Sequence, residues 1–137
     1  MTYLSKTDFV QTTANIATAL FALFIGVQLL LAAGILPVSM FWGGRQTELT
    51  PALRIGSLVA VMVLGFFIYI IRYRAGLVGA MPTPTWVRVS AWIVTGYMAV
   101  NTLGNLASLS NVERFLFSPL ALVLTVASLL VAASRLN

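Results

Sequence analysis

The sequence predicts an all-α fold, an integral membrane four-helix bundle with its helices running up-down and antiparallel. Three observations predict it. First, 60% of the 137 residues are hydrophobic and only 8% are charged, against about 45–50% apolar and about 25% charged in an average soluble domain. Eight basic and three acidic side chains cannot cover a water-soluble protein of this length, and a surface facing hydrocarbon needs none. Second, the apolar residues fall into four runs, each close to the roughly 20 helical residues that cross a bilayer core about 30 Å thick. Third, stretches such as Leu58-Val59-Ala60-Val61-Met62-Val63-Leu64 do not alternate between polar and apolar, as the strands of a membrane β-barrel must. Backbone groups in lipid have to pair within their own segment, so the runs are expected to be helices.

A single transmembrane domain is expected over residues 1–137, with helices near 12–36, 53–72, 86–108 and 114–134. The first run lies between Thr12 and Pro37 and is longer than the apolar region of a secretory signal, so it is read as a retained helix. The second should begin at Thr50-Pro51, an N-cap residue followed by a proline at the first helical position. Arg54 then sits in its first turn and can snorkel to the headgroups. Gly79, Pro82 and Pro84 mark the loop before the third helix. Ser110-Asn111-Val112-Glu113 has the S-x-x-E spacing of a capping box and should open the fourth. Trp42, Trp86 and Trp92 lie near the expected helix ends, where aromatic belts form.

With four crossings, both termini share a side with the loop between helices two and three. That side carries Lys6, Arg72, Arg74, Arg88 and Arg135, and the opposite side carries Arg45, Arg54 and Arg114. Basic residues favour the cytoplasm, which places both termini there. The same reading accounts for the net charge of +5 without a nucleic-acid partner, because the basic residues stand singly or in pairs and form no stripe. The chain has no cysteine and no histidine, so thiol–disulfide chemistry, a histidine-held haem and a common zinc site are not expected, and no metal or other cofactor is assigned.

Polar residues inside the runs mark where a ligand could bind. Asn101 and Asn105 lie one turn apart on one face of the third helix, about 6 Å apart along its axis. An amide in lipid is costly without a partner, so this face should point into the bundle. It then serves either as interhelical glue or as the lining of a pore or binding site. Gln28 is a lone amide in the first helix, with Tyr69 or Tyr97 as possible partners. At the outer end, the segment Phe41 to Pro51 brings Arg45 and Glu48. Arg54 and the Ser110–Arg114 loop, with Glu113, lie at the same end. Arg45 can pair with Glu48 or Glu113. In a polar site Arg45 or Arg54 would contact an anion, and Glu48 or Glu113 would act as a base. Ala22/Gly26, Gly56/Ala60 and Gly104/Ser108 have the small-x-x-x-small spacing of close helix contacts. No acid or base lies at mid-membrane, which disfavours an ion-coupled transporter.

The loop Trp42-Gly43-Gly44-Arg45, the proline-started helix that follows, and Asn101-Thr102-Leu103-Gly104-Asn105 together resemble a group of small four-helix bacterial inner-membrane proteins that remain uncharacterised. The resemblance implies a bacterial cytoplasmic membrane location. It brings no substrate, cofactor or catalytic residue with it.

With no catalytic motif and no soluble domain, the first expectation is an accessory or partner-binding membrane component. Membrane lipids surround it, and a homo-oligomer or another membrane protein is its partner. The alternative is an oligomeric channel or transporter for a small solute or anion, with Asn101 and Asn105 along the path. A lipid-modifying enzyme using Glu48 or Glu113 comes last.

Overall fold

The computed structural model describes residues 6–135. Among them the chain is all-helical, with four long helices and no strand: α1 (Lys6–Ala32), α2 (Pro51–Arg74), α3 (Thr85–Leu106) and α4 (Ser118–Ala132). A π-helical turn over Glu113–Phe117 runs directly into α4, so that rod extends from Glu113 to Ala132. At about 1.5 Å per residue, each of the four rods reaches about 30 Å or more. Three of them, the exception being α3, are also apolar enough to cross a membrane. The third run, expected to cross the membrane like the other three, falls short of that apolar content. α3 is 22 residues long, but Arg88, Ser90, Thr95, Asn101, Thr102 and Asn105 dilute its apolar content.

The helix ends follow local chemistry. The Thr50 hydroxyl accepts from Leu53 N at 3.2 Å, and Pro51 takes the first helical position, so α2 starts where its sequence predicts. α1 stops earlier than expected. Gly34 adopts φ +78°, Ile35 N donates to Leu30 O, and Gly34 N donates to Leu31 O, the double bond of a Schellman ending. The same pair of bonds closes α2 through Gly76. The π turn has its cause in Pro119, which lacks the N–H for Phe115 O and whose ring crowds that carbonyl. The helix widens instead, and Ser118 sends both its amide and its hydroxyl to Glu113 O.

Packing is in two tight pairs, α1 on α2 and α3 on α4, joined by a looser α1–α4 contact and a still looser α2–α3 seam. The start of α1 meets the end of α2 where Arg72 donates to Asn15 Oδ1 at 2.8 Å and Gln11 reaches Ala75 O. Late α3 meets α4 through the Thr102 and Thr125 hydroxyls, 3.2 Å apart. The core is built from Ala14, Ala17, Phe21, Ile70, Ile71, Met98, Leu124 and Val131, all fully buried. Small polar side chains share the interior: Ser57, Thr95, Thr102, Ser118 and Ser128 are buried. Large apolar side chains face outward, with Met62 75% and Val100 69% exposed. The distribution is the reverse of a soluble bundle, in which such faces are polar.

Candidate functional site

At the end of the bundle formed by the end of α1, the starts of α2 and α4, and the end of α3, lies a cavity of about 260 Å³. Helix α1 supplies Phe24, Val27 and Gln28. Gly56, Val59, Ala60, Val63 and Leu64 come from α2, and Tyr97, Asn101 and Asn105 from α3. Phe41 and Trp42 of the first loop, with Glu113 and Phe117 of the π turn, complete the lining. The cavity lies at the α2–α3 seam, where Val59 and Tyr97 are about half exposed. The edge-on contact of Phe67 with Tyr97, ring centroids 5.1 Å apart, holds the two helices together at that level.

Two loops roof the site, and hydrogen bonds latch them together. Gly43 N donates to Glu113 Oε1 at 2.9 Å, and the Ser108 hydroxyl donates to the same oxygen at 2.6 Å. Leu109 N donates back to Gly43 O at 2.9 Å, and the Ser110 hydroxyl donates to Met40 O at 2.6 Å. The geometry demands glycine: Trp42, Gly43 and Gly44 have φ of +55°, +78° and +74° in succession, and a Cβ on Gly44 would lie 2.6 Å from Ser110 N. Trp42 then folds over Gly56, whose missing side chain admits the indole ring. Phe117 wedges beneath the roof between Phe24 and Phe41, its ring centroid 5.3 and 5.4 Å from theirs.

The expected capping box is therefore half formed. Ser110 Oγ accepts from Glu113 N at 3.4 Å, but the Glu113 carboxylate does not return to Ser110 N, which donates to the Ser108 hydroxyl instead. The carboxylate is drawn across to the glycine loop, where a backbone N–H and a hydroxyl offer it stronger, charge-assisted bonds.

Of the residues singled out from sequence, the fold gathers Gln28, Asn101, Asn105 and Glu113 around one cavity. It leaves Arg45, Glu48 and Arg54 exposed outside the lining, and among the described residues they form no ion pair. Tyr97 joins the cavity, whereas Tyr69 lies elsewhere and packs on Phe66 and Tyr73. Of the small-residue pairs, Gly56 is closely approached, while Gly26 and Gly104 face open space. Trp42, Phe117 and Gly56 were not singled out as lining residues. The signal that marks Trp42 was present in the two glycines that follow it.

The amides have no hydrogen-bond partner among the described residues. Gln28 Oε1 is buried without a hydrogen bond, and the side chains of Asn101 and Asn105 make none among the described residues. A buried group such as Gln28 Oε1 costs about 1–3 kcal/mol if nothing pairs with it. Among the described residues the lining thus presents amide donors and acceptors, one carboxylate and an aromatic wall, with no cationic side chain. Among the described residues no group of His, Cys, Asp and Glu is placed to hold a metal ion.

Comparison with the models of known protein families, with curated proteins and with solved structures finds no match for this chain.

Proposed function

We propose that the chain is a multi-pass membrane protein that binds a small, neutral or ammonium-bearing, hydrogen-bonding ligand in the amide cavity. Its four helices cross a bacterial cytoplasmic membrane in up-down order, with both termini inside. The outward apolar faces and the inward serines and threonines support the membrane setting. The resemblance of its W-G-G-R and N-T-x-G-N segments to small inner-membrane proteins supports the location.

The observation that carries the reading is the convergence of Gln28, Asn101 and Asn105 on one cavity, with Gln28 Oε1 buried and unpaired and the two asparagine side chains making no hydrogen bond among the described residues. Interhelical glue would pair them with each other or with a facing backbone. The absence of a lining cation favours neutral or cationic ligands over anions. Phe21, Phe67, Ile70 and Met98 fill the bundle away from the roofed end, so the site is a blind pocket in a single chain. Transport would then require an assembly or a rearrangement at the α2–α3 seam. No nucleophile accompanies Glu113, and Glu48 stands outside the cavity, which leaves the enzyme reading without a second group.

Native mass spectrometry of the full chain extracted from its own membranes tests this. A bound small molecule is expected on the wild type and not on Asn101→Leu/Asn105→Leu. In parallel, Asn101→Cys should react with a small methanethiosulfonate reagent. Identical adducts on wild type and variant, with an unreactive cysteine, would sink the reading.

An accessory role is the second reading, favoured by Gly96 and Gly104. They lie two turns apart on α3 with no atom within 4 Å of an added Cβ, a surface that a partner helix can approach closely. Cross-linking in membranes from Gly104→Cys should then capture another membrane protein, and recovery of uncross-linked monomer alone counts against it.

A further inference from the structure

A second cavity, of about 470 Å³, lies at the opposite end of the bundle, between the last turn of α2, the first turns of α3 and the end of α4. Arg74, Arg88 and Arg135 line it together with Trp92 and Ser134, and among the described residues no acidic side chain does. Sequence alone assigns these arginines to membrane orientation, and any position on the cytoplasmic side would satisfy that. Their convergence on one cavity is a separate fact.

Arg74 is only 1% exposed and donates from Nη2 to Ser134 O, so part of its role is to tie down the segment that follows α4. That role does not extend to the other two. Arg88 sits in the first turn of α3, where the positive end of the helix dipole disfavours a cation, and it is near enough to Arg74 for the two charges to repel. Arg135 adds a third guanidinium on the far wall. Arg88 and Arg135 make no hydrogen bond or ion pair among the described residues, and their guanidinium forks match the geometry of phosphate, an anion with several acceptor oxygens.

We propose that this cavity is a phosphate-binding site in which Arg88 and Arg135 grip a phosphate group against Arg74. The site does not depend on the amide cavity or its ligand. In the proposed membrane setting this end lies at headgroup level with Trp92 at the interface, so the phosphate belongs either to an anionic lipid or to a free ion.

The test uses the full chain in neutral detergent, with the thermal unfolding midpoint as readout. Short-chain phosphatidylglycerol, phosphatidylcholine of equal chain length and sodium phosphate are titrated separately. Phosphatidylglycerol is expected to raise the midpoint and phosphatidylcholine to leave it unchanged. Arg88→Gln and Arg135→Gln should each weaken the apparent affinity about tenfold, the loss of one charge-assisted contact worth about 1.4 kcal/mol. Arg54→Gln, at the other end of the bundle, should not. Both cavity arginines have exposed side chains, so the unliganded midpoints should match wild type. If they do not, Arg88→Lys preserves the charge without the fork and should still bind more weakly. A midpoint raised by sodium phosphate, with competition between the two, assigns the site to the free ion; a response to phosphatidylglycerol alone assigns it to lipid. Equal response to both lipids with none to phosphate, wild-type affinity in Arg88→Gln and Arg135→Gln, or an equal loss in Arg54→Gln would overturn the site.

Discussion

Glu113 shows what a single residue is asked to do in this chain. Its sequence position makes it the end of a capping box, yet its carboxylate bonds Gly43 N and the Ser108 hydroxyl and ties two loops over the cavity. Gly43 is the other half of that latch, and Gly44 beside it packs against the Ser110 backbone. Gly44→Ala forces a Cβ against the Ser110 amide at positive φ, and should cost about 1–3 kcal/mol in thermal unfolding. A midpoint equal to wild type would mean that the loop has another conformation to adopt. Asn101 and Asn105 separate two physical roles by sign. Interhelical glue is worth about 0.6–2 kcal/mol, so its removal would lower stability. Amides that no protein atom pairs contribute no such bond, so Asn101→Leu/Asn105→Leu should unfold in detergent at or above the wild-type temperature. A clear fall in midpoint assigns the pair to packing. The amide pair was legible in the sequence because two amides on one helical face are rare in an apolar run. Its lack of partners was not, because that depends on what α1 and α2 place opposite.

Among the elements, the π turn is the one the local pattern does not announce. The capping signal at Ser110 hides it, and only Pro119, two residues past its end, gives it away. Pro119→Ala restores an N–H for Phe115 O and lets the rod close to a regular α-helix. Removing proline from a helix interior gains about 3 kcal/mol, and loss of the charge-assisted bonds to Glu113 costs about 1.5–3 kcal/mol. The two nearly cancel. The expected result is little change in unfolding temperature, but faster proteolysis of the loop over residues 40–48 as Glu113 rotates away from Gly43. An unchanged cleavage rate would show that the π turn is held by the latch rather than by the proline. Thr50-Pro51 set the start of α2 as read, because both signals act within one turn. The end of α1 was misplaced because apolar residues run on past Gly34, and the backbone turn there overrides the hydropathy.

For the whole molecule, the unequal seams matter most. Strong α1–α2 and α3–α4 contacts and a weak α2–α3 seam leave the amide cavity beside the seam and set the arginine cavity at the opposite end. The proposed topology is directly testable because the chain contains no native cysteine. Thr47→Cys should be labelled by a membrane-impermeant maleimide applied to intact cells, and Met81→Cys only after the membrane is opened. The reverse pattern would invert the orientation, and labelling of both in intact cells would reveal a mixed topology. The excess of basic residues on one side is five against three, small enough for the measurement to be informative.

Composition and the spacing of apolar runs alone determined that this chain is all-helical and that its helices turn apolar faces outward, because helix formation and hydrocarbon compatibility are properties of each segment by itself. The same local reading picked out Gln28, Asn101, Asn105 and Glu113. Which polar groups find partners was decided only by tertiary structure, since pairing depends on the distance between segments far apart in the chain. That distance brought four of the singled-out residues to one cavity and left Arg45, Glu48 and Arg54 outside it. It also drew Arg74, Arg88 and Arg135 together at the opposite end.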